Sequence, residues 1–257
     1  MRVVVKVGTS TLAHPSGCLN IRQVEKMCKV LSDIKNAGHE VILVSSGAIA
    51  MGMGKLPLLE RPQDMPTKQA AAAVGQCELM YTYDRLFSEY NHVVAQLLVT
   101  GEDMEHEDRC QNIQNTLFRL LELKALPIVN ENDTIATQEI AVGDNDTLSA
   151  IVAVRMKAEL LVILSDIDGL YTANPKEDSG ARLIPVVWEL DEKIQKLAGE
   201  GCGPLGTGGM VTKLHAARLA TAQGTDVVIA NGQSPELLYD ILDGAAVGTR
   251  FIGRRTE

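Results

Sequence analysis

Short apolar runs alternate with longer amphipathic stretches along the chain. The runs are rich in β-branched residues and mostly lack polar alternation, which predicts buried strands over 3–7, 41–44, 93–99, 126–129, 160–164 and 227–230. Between them, apolar positions at helical spacing predict one helix that starts at Asn20 and ends at Gly38, and others over 68–90, 108–124, 146–157 and 210–223. Strands separated by helices predict an α/β fold with a mostly parallel sheet covered on both faces.

The chain shows no linker, low-complexity tract or internal repeat that would divide it. We therefore expect a single domain over 1–257, built from two lobes that cover about residues 1–150 and 151–257. The proline-containing stretch 55–66 is predicted to be a long surface loop or lid.

Composition narrows the classes of function. Hydrophobic residues make up 46% and charged residues 22% of 257 residues, which is typical of a globular protein. The net charge of −9 argues against nucleic-acid and anionic-membrane partners, because both require clustered Lys and Arg. The five cysteines are widely scattered, and the longest apolar runs fall well short of the roughly 20 residues of a membrane span. We therefore expect a cytosolic protein.

Polar and glycine residues follow four of the predicted strands. In parallel sheets, ligands bind at the carboxyl ends of strands, so these segments are the candidate site. They are KVGTS (6–10), SSGA (45–48), NENDT (130–134) with GDND (143–146) close behind, and SD (165–166) with GLY (169–171).

Two lysines stand out among the candidates. Lys6 lies inside the apolar run VVVKVG, where a buried charge is costly unless it meets a counter-charge or a ligand. Lys213 follows a glycine-rich segment, 206–209, that runs directly into a predicted helix, and a helix start of this kind favours a phosphate group. Neighbouring matches to dinucleotide and P-loop patterns fail, the first because a predicted helix precedes it and the second on spacing.

Acidic and amide residues cluster between the lysines. Asp144 and Asp146 flank Asn145 at a predicted helix start, where Asp146 is suited to be the N-cap. Capping does not explain the whole set of polar residues in 130–134 and 143–147. His and Cys lack metal-ligand spacing, so no protein metal centre is expected. Two lysines, glycine N–H groups and an aspartate indicate an ATP-dependent phosphotransferase without a P-loop, with Mg²⁺ as companion of the phosphates.

Several segments resemble the glutamate 5-kinases of the amino acid kinase family. They run in family order from residue 4 to residue 217: VVKVGTSTL, VSSGAIAMG, KQAAAAVGQ, PIVNENDTIAT, EIAVGDNDTLSA, LSDIDGLYTANP and GTGGMVTKLHAA. The resemblance implies a three-layer αβα sandwich. It also implies that ATP, with Mg²⁺, phosphorylates the side-chain carboxylate of L-glutamate as the first step of proline biosynthesis.

The resemblance also implies roles for individual residues. Ser46, Asp133 and Asn145 would hold glutamate, Lys6 and Lys213 would bracket the transferred phosphoryl group, and Asp146 would orient both lysines. The ATP site, to which Lys6 also belongs, would be lined by Ser165, Asp166, Thr207, Gly208, Gly209, Met210, Val211, Thr212 and Lys213. The first lobe would thus bind the acceptor and the second lobe ATP. A homo-oligomer, feedback inhibition by proline and a kinase-only form without a PUA domain are further expectations.

Two alternatives stay open at the level of sequence. Another member of the same family could use a different acceptor, such as aspartate, N-acetylglutamate, carbamate or UMP. UMP is disfavoured because segments 45–48 and 130–146 contain no arginine for its phosphate. A catalytically silent amino-acid or nucleotide sensor is the other alternative, against which the presence of Lys6, Asp146 and Lys213 argues.

Overall fold

The predicted strands are confirmed in a computed structural model that describes residues 1–14, 16–56, 58, 60–136, 145–175, 177–199 and 209–254. Two short strands add to them near the C-terminus. In chain order the strands are β1 Arg2–Val7, β2 Glu40–Ser45, β3 Val94–Val99, β4 Leu126–Glu131, β5 Leu160–Ser165, β6 Val186–Val187, β7 Asp226–Asn231 and β8 Thr249–Phe251.

Helices occupy most of the chain between the strands. They are α1 Thr9–Leu12, α2 Ile21–Asn36, α3 Ala48–Lys55, α4 Met65–Ser88, α5 Gly101–Glu105, α6 Glu107–Glu122, α7 Asn145–Arg155, α8 Glu192–Gly199, α9 Met210–Ala222 and α10 Leu237–Leu242. As predicted, Asn20 caps α2, its side chain accepting a hydrogen bond from the Gln23 amide at 3.3 Å. Gly38 follows the end of that helix with φ +95°, a conformation that glycine adopts without steric cost.

The predicted loop over 55–66 is shorter than expected. Lys55 ends α3, and α4 already begins at Met65, so Pro66 lies in the first turn of a helix. Asp64 caps α4 by accepting a hydrogen bond from the Thr67 amide at 2.9 Å. Proline is well tolerated in a first turn, where its missing N–H has no partner to lose.

All strands form one sheet in the order β3-β4-β2-β1-β5-β7-β8-β6. Among the described residues, every pair of these strands is parallel except β7 with β8. β1 lies between β2 and β5, and from there the chain builds outward in one direction with β2–β4 and in the other with β5–β8. The carboxyl end of β1 is therefore the point where strand order reverses, which is where ligands bind in open α/β sheets.

Alternate residues of β1 face two separate hydrophobic cores. Val3, Val5 and Val7 pack into a core with α2, α4 and α10, whereas Val4 packs into a core with α6, α7 and α9. The result is the expected three-layer αβα sandwich, with both faces of the sheet covered. Among the described residues, none of the helices is both long and apolar enough to cross a membrane.

Candidate active site

Lys6 is buried in the centre of the sheet. Its strand, β1, has a neighbour on each side, Val44 of β2 and Ile163 of β5 standing in register with Lys6. Because side chains alternate along a strand, Lys6 shares the face of Val4 and points into the layer of α7 and α9. Its side chain is only 8% exposed, so the ammonium group must be paired inside the protein.

Asp146 provides that pairing and shares it with Lys213. The Lys6 Nζ lies 2.5 Å from Asp146 Oδ1, and the Lys213 Nζ lies 3.0 Å from Asp146 Oδ2. The carboxylate is fully buried and the Lys213 side chain is 4% exposed. Three segments far apart in sequence, β1, α7 and α9, thus bring one anion between two cations.

The electrostatics of this Lys6–Asp146–Lys213 triplet leave a positive excess. Burial alone would raise the pKa of the Asp146 carboxyl, but the two ammonium groups outweigh burial and hold that pKa below its ordinary value. With Asp146 ionised and both lysines protonated, the triplet carries one net positive charge in a buried place. A buried positive charge at the carboxyl end of a central strand favours an anionic ligand.

One sequence expectation about Asp146 is wrong. Asp146 was expected to be the N-cap of its helix, but α7 begins at Asn145 and Asp146 lies within the first turn. Its carboxylate contacts lysines, and Thr212 Oγ1 also lies 3.1 Å from Oδ2. The residue therefore serves the ion triplet, and capping does not account for it.

Asn145 and Ser46 meet beside the triplet. The Asn145 Nδ2 group donates to Ser46 Oγ at 2.9 Å and lies 3.3 Å from the Ser45 carbonyl oxygen. Ser46 directly follows β2, and Gly47 then turns the chain into α3 with φ +100°, which a larger residue would adopt only with strain. The structure thus brings into direct contact two of the residues that are predicted to bind the acceptor substrate.

Asp133 is the third residue that is predicted to bind the acceptor substrate. It follows β4 at the same edge of the sheet. β4 pairs with β2, so the segments that carry Asp133 and Ser46 leave neighbouring strands. Burial raises the pKa of the Asp133 carboxyl to about 6. A mostly buried carboxyl group whose pKa lies near neutral pH is suited to bind a cationic group of a ligand.

Behind these residues lies a buried polar layer that sequence reasoning missed. Asn130 Nδ2 donates to Gln76 Oε1 at 2.8 Å, and Ser45 Oγ lies 2.9 Å from the Tyr83 hydroxyl oxygen. Gln76 and Tyr83 come from α4. The available signal was the segment KQAAAAVGQ, which ends at Gln76 and which the family resemblance had already marked.

The residues predicted to bind ATP lie at the start of α9 and the end of β5. Gly209 is the N-cap of α9, Met210, Val211 and Thr212 form its first turn, and Thr212 Oγ1 lies 2.8 Å from the Gly209 carbonyl oxygen. Ser165 Oγ donates to Asp166 Oδ1 at 3.1 Å, beside β1. Thr207 and Gly208 lie outside the described residues, as do Gly143 and Asp144.

Fold and site together define a class of protein. Proteins of this class have a three-layer αβα sandwich and a buried, net-positive Lys–Asp–Lys triplet at the point where strand order reverses. This triplet is suited to hold a phosphate-bearing ligand. Comparison with known sequences then gives the family. The amino acid kinase family matches residues 1–231, and the chain belongs to that family.

Three similar proteins carry the name glutamate 5-kinase. A glutamate 5-kinase from Clostridium perfringens is 50% identical over 100% of this chain and 97% of its own length. One from Clostridium acetobutylicum is 53% identical over 98% of this chain and 94% of its own length. A third, from Carboxydothermus hydrogenoformans, is 51% identical over 100% of this chain and 69% of its own length.

Similar solved structures share the fold at low sequence identity. A carbamate kinase from Giardia lamblia bound to AMP-PNP superposes with a TM-score of 0.70 at 18% identity, covering 98% of each chain. A UMP kinase from Bacillus anthracis gives a TM-score of 0.67 at 17% identity, covering 99% of this chain and 96% of its own.

Proposed function

We propose that this protein catalyses the ATP-dependent phosphorylation of the side-chain carboxylate of L-glutamate, which yields L-glutamyl 5-phosphate and ADP and begins proline biosynthesis. The observation that carries the proposal is the buried Lys6–Asp146–Lys213 triplet beside the Ser46–Asn145 contact. Full-length similarity to glutamate 5-kinases at about 50% identity supports the choice of acceptor.

The reaction needs no general base from the protein. A glutamate side chain has a pKa of about 4.3 and is already ionised near neutral pH. One of its carboxylate oxygens attacks the γ-phosphorus of ATP while the bond from that phosphorus to the β,γ-bridging oxygen breaks. The electron pair of the broken bond leaves with ADP. What the protein must supply is alignment of donor and acceptor and compensation of negative charge.

Lys6 and Lys213 supply the charge compensation. Asp146 fixes both ammonium groups, at 2.5 Å and 3.0 Å from its two oxygens. Cations held in a buried place act on the charge of the phosphoryl group without having to reorganise during transfer. We place the transferred group between the two lysines, with Asp146 as the positioning residue for both.

The residues that we propose for acceptor binding belong to the first expected lobe, and those that we propose for ATP binding belong to the second, with the exception of Lys6. Asn145 Oδ1 is buried and has no hydrogen-bond partner among the described residues, so it can accept from the α-ammonium group of glutamate. The Asp133 carboxylate is suited to the same group, and Ser46 to the α-carboxylate. ATP would lie along Ser165, Asp166 and the segment 207–213, with Lys6 reaching its phosphates.

Mg²⁺ fits this site as a companion of the nucleotide. Among the described residues, His, Cys, Asp and Glu form no group of three that could hold a metal ion, and both oxygens of Asp146 already face lysines. Mg²⁺ commonly binds through substrate phosphates and keeps several waters, which requires no protein cage. The ion would add positive charge to the phosphates, and we assign it no ligand from this chain.

We place the reaction in the cytoplasm because the four described cysteines, Cys18, Cys28, Cys77 and Cys110, form no disulfide. A homo-oligomer is proposed on the family relationship alone.

Proline is the proposed feedback inhibitor. It shares the α-carboxylate and a cationic amine with glutamate, so it should occupy the acceptor site and raise the apparent KM for glutamate without changing the limiting rate. Initial rates at several fixed proline concentrations test this expectation. Inhibition that persists at saturating glutamate would place proline elsewhere.

Release of ADP with a panel of acceptors tests the proposed function. Mg-ATP is supplied with L-glutamate, L-aspartate, N-acetylglutamate, carbamate or UMP, and ADP is measured. We expect turnover with L-glutamate alone. Turnover with a different acceptor would keep the phosphate site and overturn the glutamate assignment. Binding of ATP without turnover of any acceptor would instead support a sensor.

A further inference from the structure

We propose that Gln76 is a positioning residue that holds a chain of three side-chain amides in one direction, so that Asn145 presents an oxygen to the α-ammonium group of the acceptor. The inference rests on the proposed function and deepens it. It concerns how the site selects a free amino acid.

The direction of the amide chain is set by one backbone group. The Glu131 N–H donates to Asn130 Oδ1 at 2.9 Å, and a backbone N–H can only donate. Asn130 Oδ1 therefore faces the Glu131 N–H, and Asn130 Nδ2 points to the opposite side of the side-chain amide. Asn130 is 2% exposed, so both ends of its amide need partners inside the protein.

Asn130 Oδ1 determines the orientation of the Asn145 side-chain amide. Asn145 Nδ2 lies 3.0 Å from Asn130 Oδ1 and 3.3 Å from the Ser45 carbonyl oxygen, and both of these oxygens can only accept. The amino end of the Asn145 side chain is thus held against the protein. Its Oδ1 is left buried, without a hydrogen-bond partner among the described residues. An unpaired buried acceptor beside the triplet calls for a donor from a ligand, and an ammonium group is such a donor.

Gln76 secures the other end of Asn130. Asn130 Nδ2 donates to Gln76 Oε1 at 2.8 Å, and Gln76 is itself buried at 7% exposure on α4. Without this acceptor, Asn130 Nδ2 becomes a buried donor with no partner, and the side chain can relieve that cost only by turning away from its present position. Asn145 would then lose an acceptor that holds its amino end.

The test replaces Gln76 in two ways. Gln76→Glu keeps a carboxyl oxygen where Asn130 Nδ2 donates, whereas Gln76→Met has similar length and no comparable acceptor. Gln114→Met is the matched control, because Gln114 Nε2 also donates to α7, at the Arg155 carbonyl, but far from Asn145. Steady-state kinetics with varied glutamate and varied ATP are measured for all variants, and thermal unfolding reports folding. If Gln76→Met does not fold, Gln76→Ala removes the same acceptor.

We expect Gln76→Met to raise the KM for glutamate about tenfold or more, because a hydrogen bond to a charged group is weakened, with little change in the KM for ATP. Gln76→Glu should stay within about twofold of the wild type, and so should Gln114→Met. Glutarate, which lacks the α-ammonium group, should inhibit wild type and Gln76→Met with similar inhibition constants.

Three results would overturn the inference. An unchanged KM in Gln76→Met would show that Asn130 needs no support from α4. An equal loss in Gln76→Glu and Gln76→Met would show that the Gln76 amino group, and not its oxygen, is what matters. An equal loss for glutamate and glutarate would separate Asn145 from the ammonium group. Wild-type protein that fails to phosphorylate glutamate would instead contradict the proposed function, and this inference with it.

Discussion

Lys6 occupies a strand otherwise made of arginine and valines, with a further strand on each side. Burial of a lone ammonium group there would cost several kcal/mol, and the partner that offsets this cost, Asp146, is 140 positions away in sequence. A second lysine, Lys213, makes the cluster net positive. At the scale of single residues, the site is thus a pre-formed place for a negative charge.

We expect the positive charge of Lys213 to act most strongly in the transition state, where negative charge spreads over the phosphoryl group that is being transferred. Lys213→Ala should lower kcat about 100-fold or more and leave the KM for glutamate nearly unchanged. Kinetics with both substrates varied measure this. Arg218→Ala, an exposed cation on the same helix, is the control and should retain full activity. A rate within twofold of the wild type would exclude Lys213 from catalysis.

Asp133 gives the site a predicted dependence on pH. Its pKa is raised by burial to about 6, so the carboxylate is lost as pH falls through 6, and the KM for glutamate should rise there. Asp133→Asn should have a higher KM at neutral pH and no such break in its profile of kcat/KM against pH. A profile of the wild type that stays flat between pH 7 and 5 would contradict this role.

The same shift has the opposite effect on folding. Between the ordinary pKa of 3.8 and about 6, the folded chain binds more protons at Asp133 than the unfolded chain, so stability rises as pH falls through this window. At neutral pH the buried, ionised Asp133 carboxylate therefore lowers the stability of the fold, although it is the form that we propose binds the ligand.

At the scale of elements, α3 and α4 hold the acceptor side of the site through close backbone packing. A Cβ atom on Gly75 of α4 would overlap the Ala48 carbonyl oxygen of α3, and one on Gly52 would overlap the Ala71 carbonyl oxygen. Because α3 begins two residues after Ser46, the distance between the two helices fixes where Ser46 lies.

Gly75→Ala tests this packing. We expect the substitution to lower the free energy of unfolding by about 1–3 kcal/mol, because backbone atoms must shift, and to raise the KM for glutamate more than that for ATP. Chemical denaturation and steady-state kinetics measure the two effects. Ala73→Ser, an exposed neighbour on α4, is the control. Unchanged stability in Gly75→Ala would contradict the close approach.

Long elements could be predicted from sequence and short ones could not. The strand runs and the helices α2, α4, α6, α7 and α9 carry enough apolar positions to show a period. By contrast, α1, α3, α5 and α10 span four to eight residues, and β6 and β8 two and three, so no period is visible in them. Gln76 was missed for a related reason, since its role depends on a contact with Asn130 across the fold.

At the scale of the whole molecule, a single sheet joins the N-terminal and C-terminal halves of the chain. β1 lies against β5, so residues from the N-terminal and C-terminal halves of the chain meet at the carboxyl end of β1. The strand-end rule pointed to most of the candidate residues before any contact was known. It could not assign an acceptor, because glutamate, aspartate and their relatives carry the same charged groups.

The most direct test of the central claim is identification of the trapped product. The protein is incubated with Mg-ATP, L-glutamate and hydroxylamine, which displaces phosphate from an acyl phosphate to give a hydroxamate. We predict glutamate 5-hydroxamate, matched by mass spectrometry and NMR to an authentic standard, in amounts equal to the ADP formed. ADP without a hydroxamate, or a hydroxamate on the α-carboxyl group, would contradict the account.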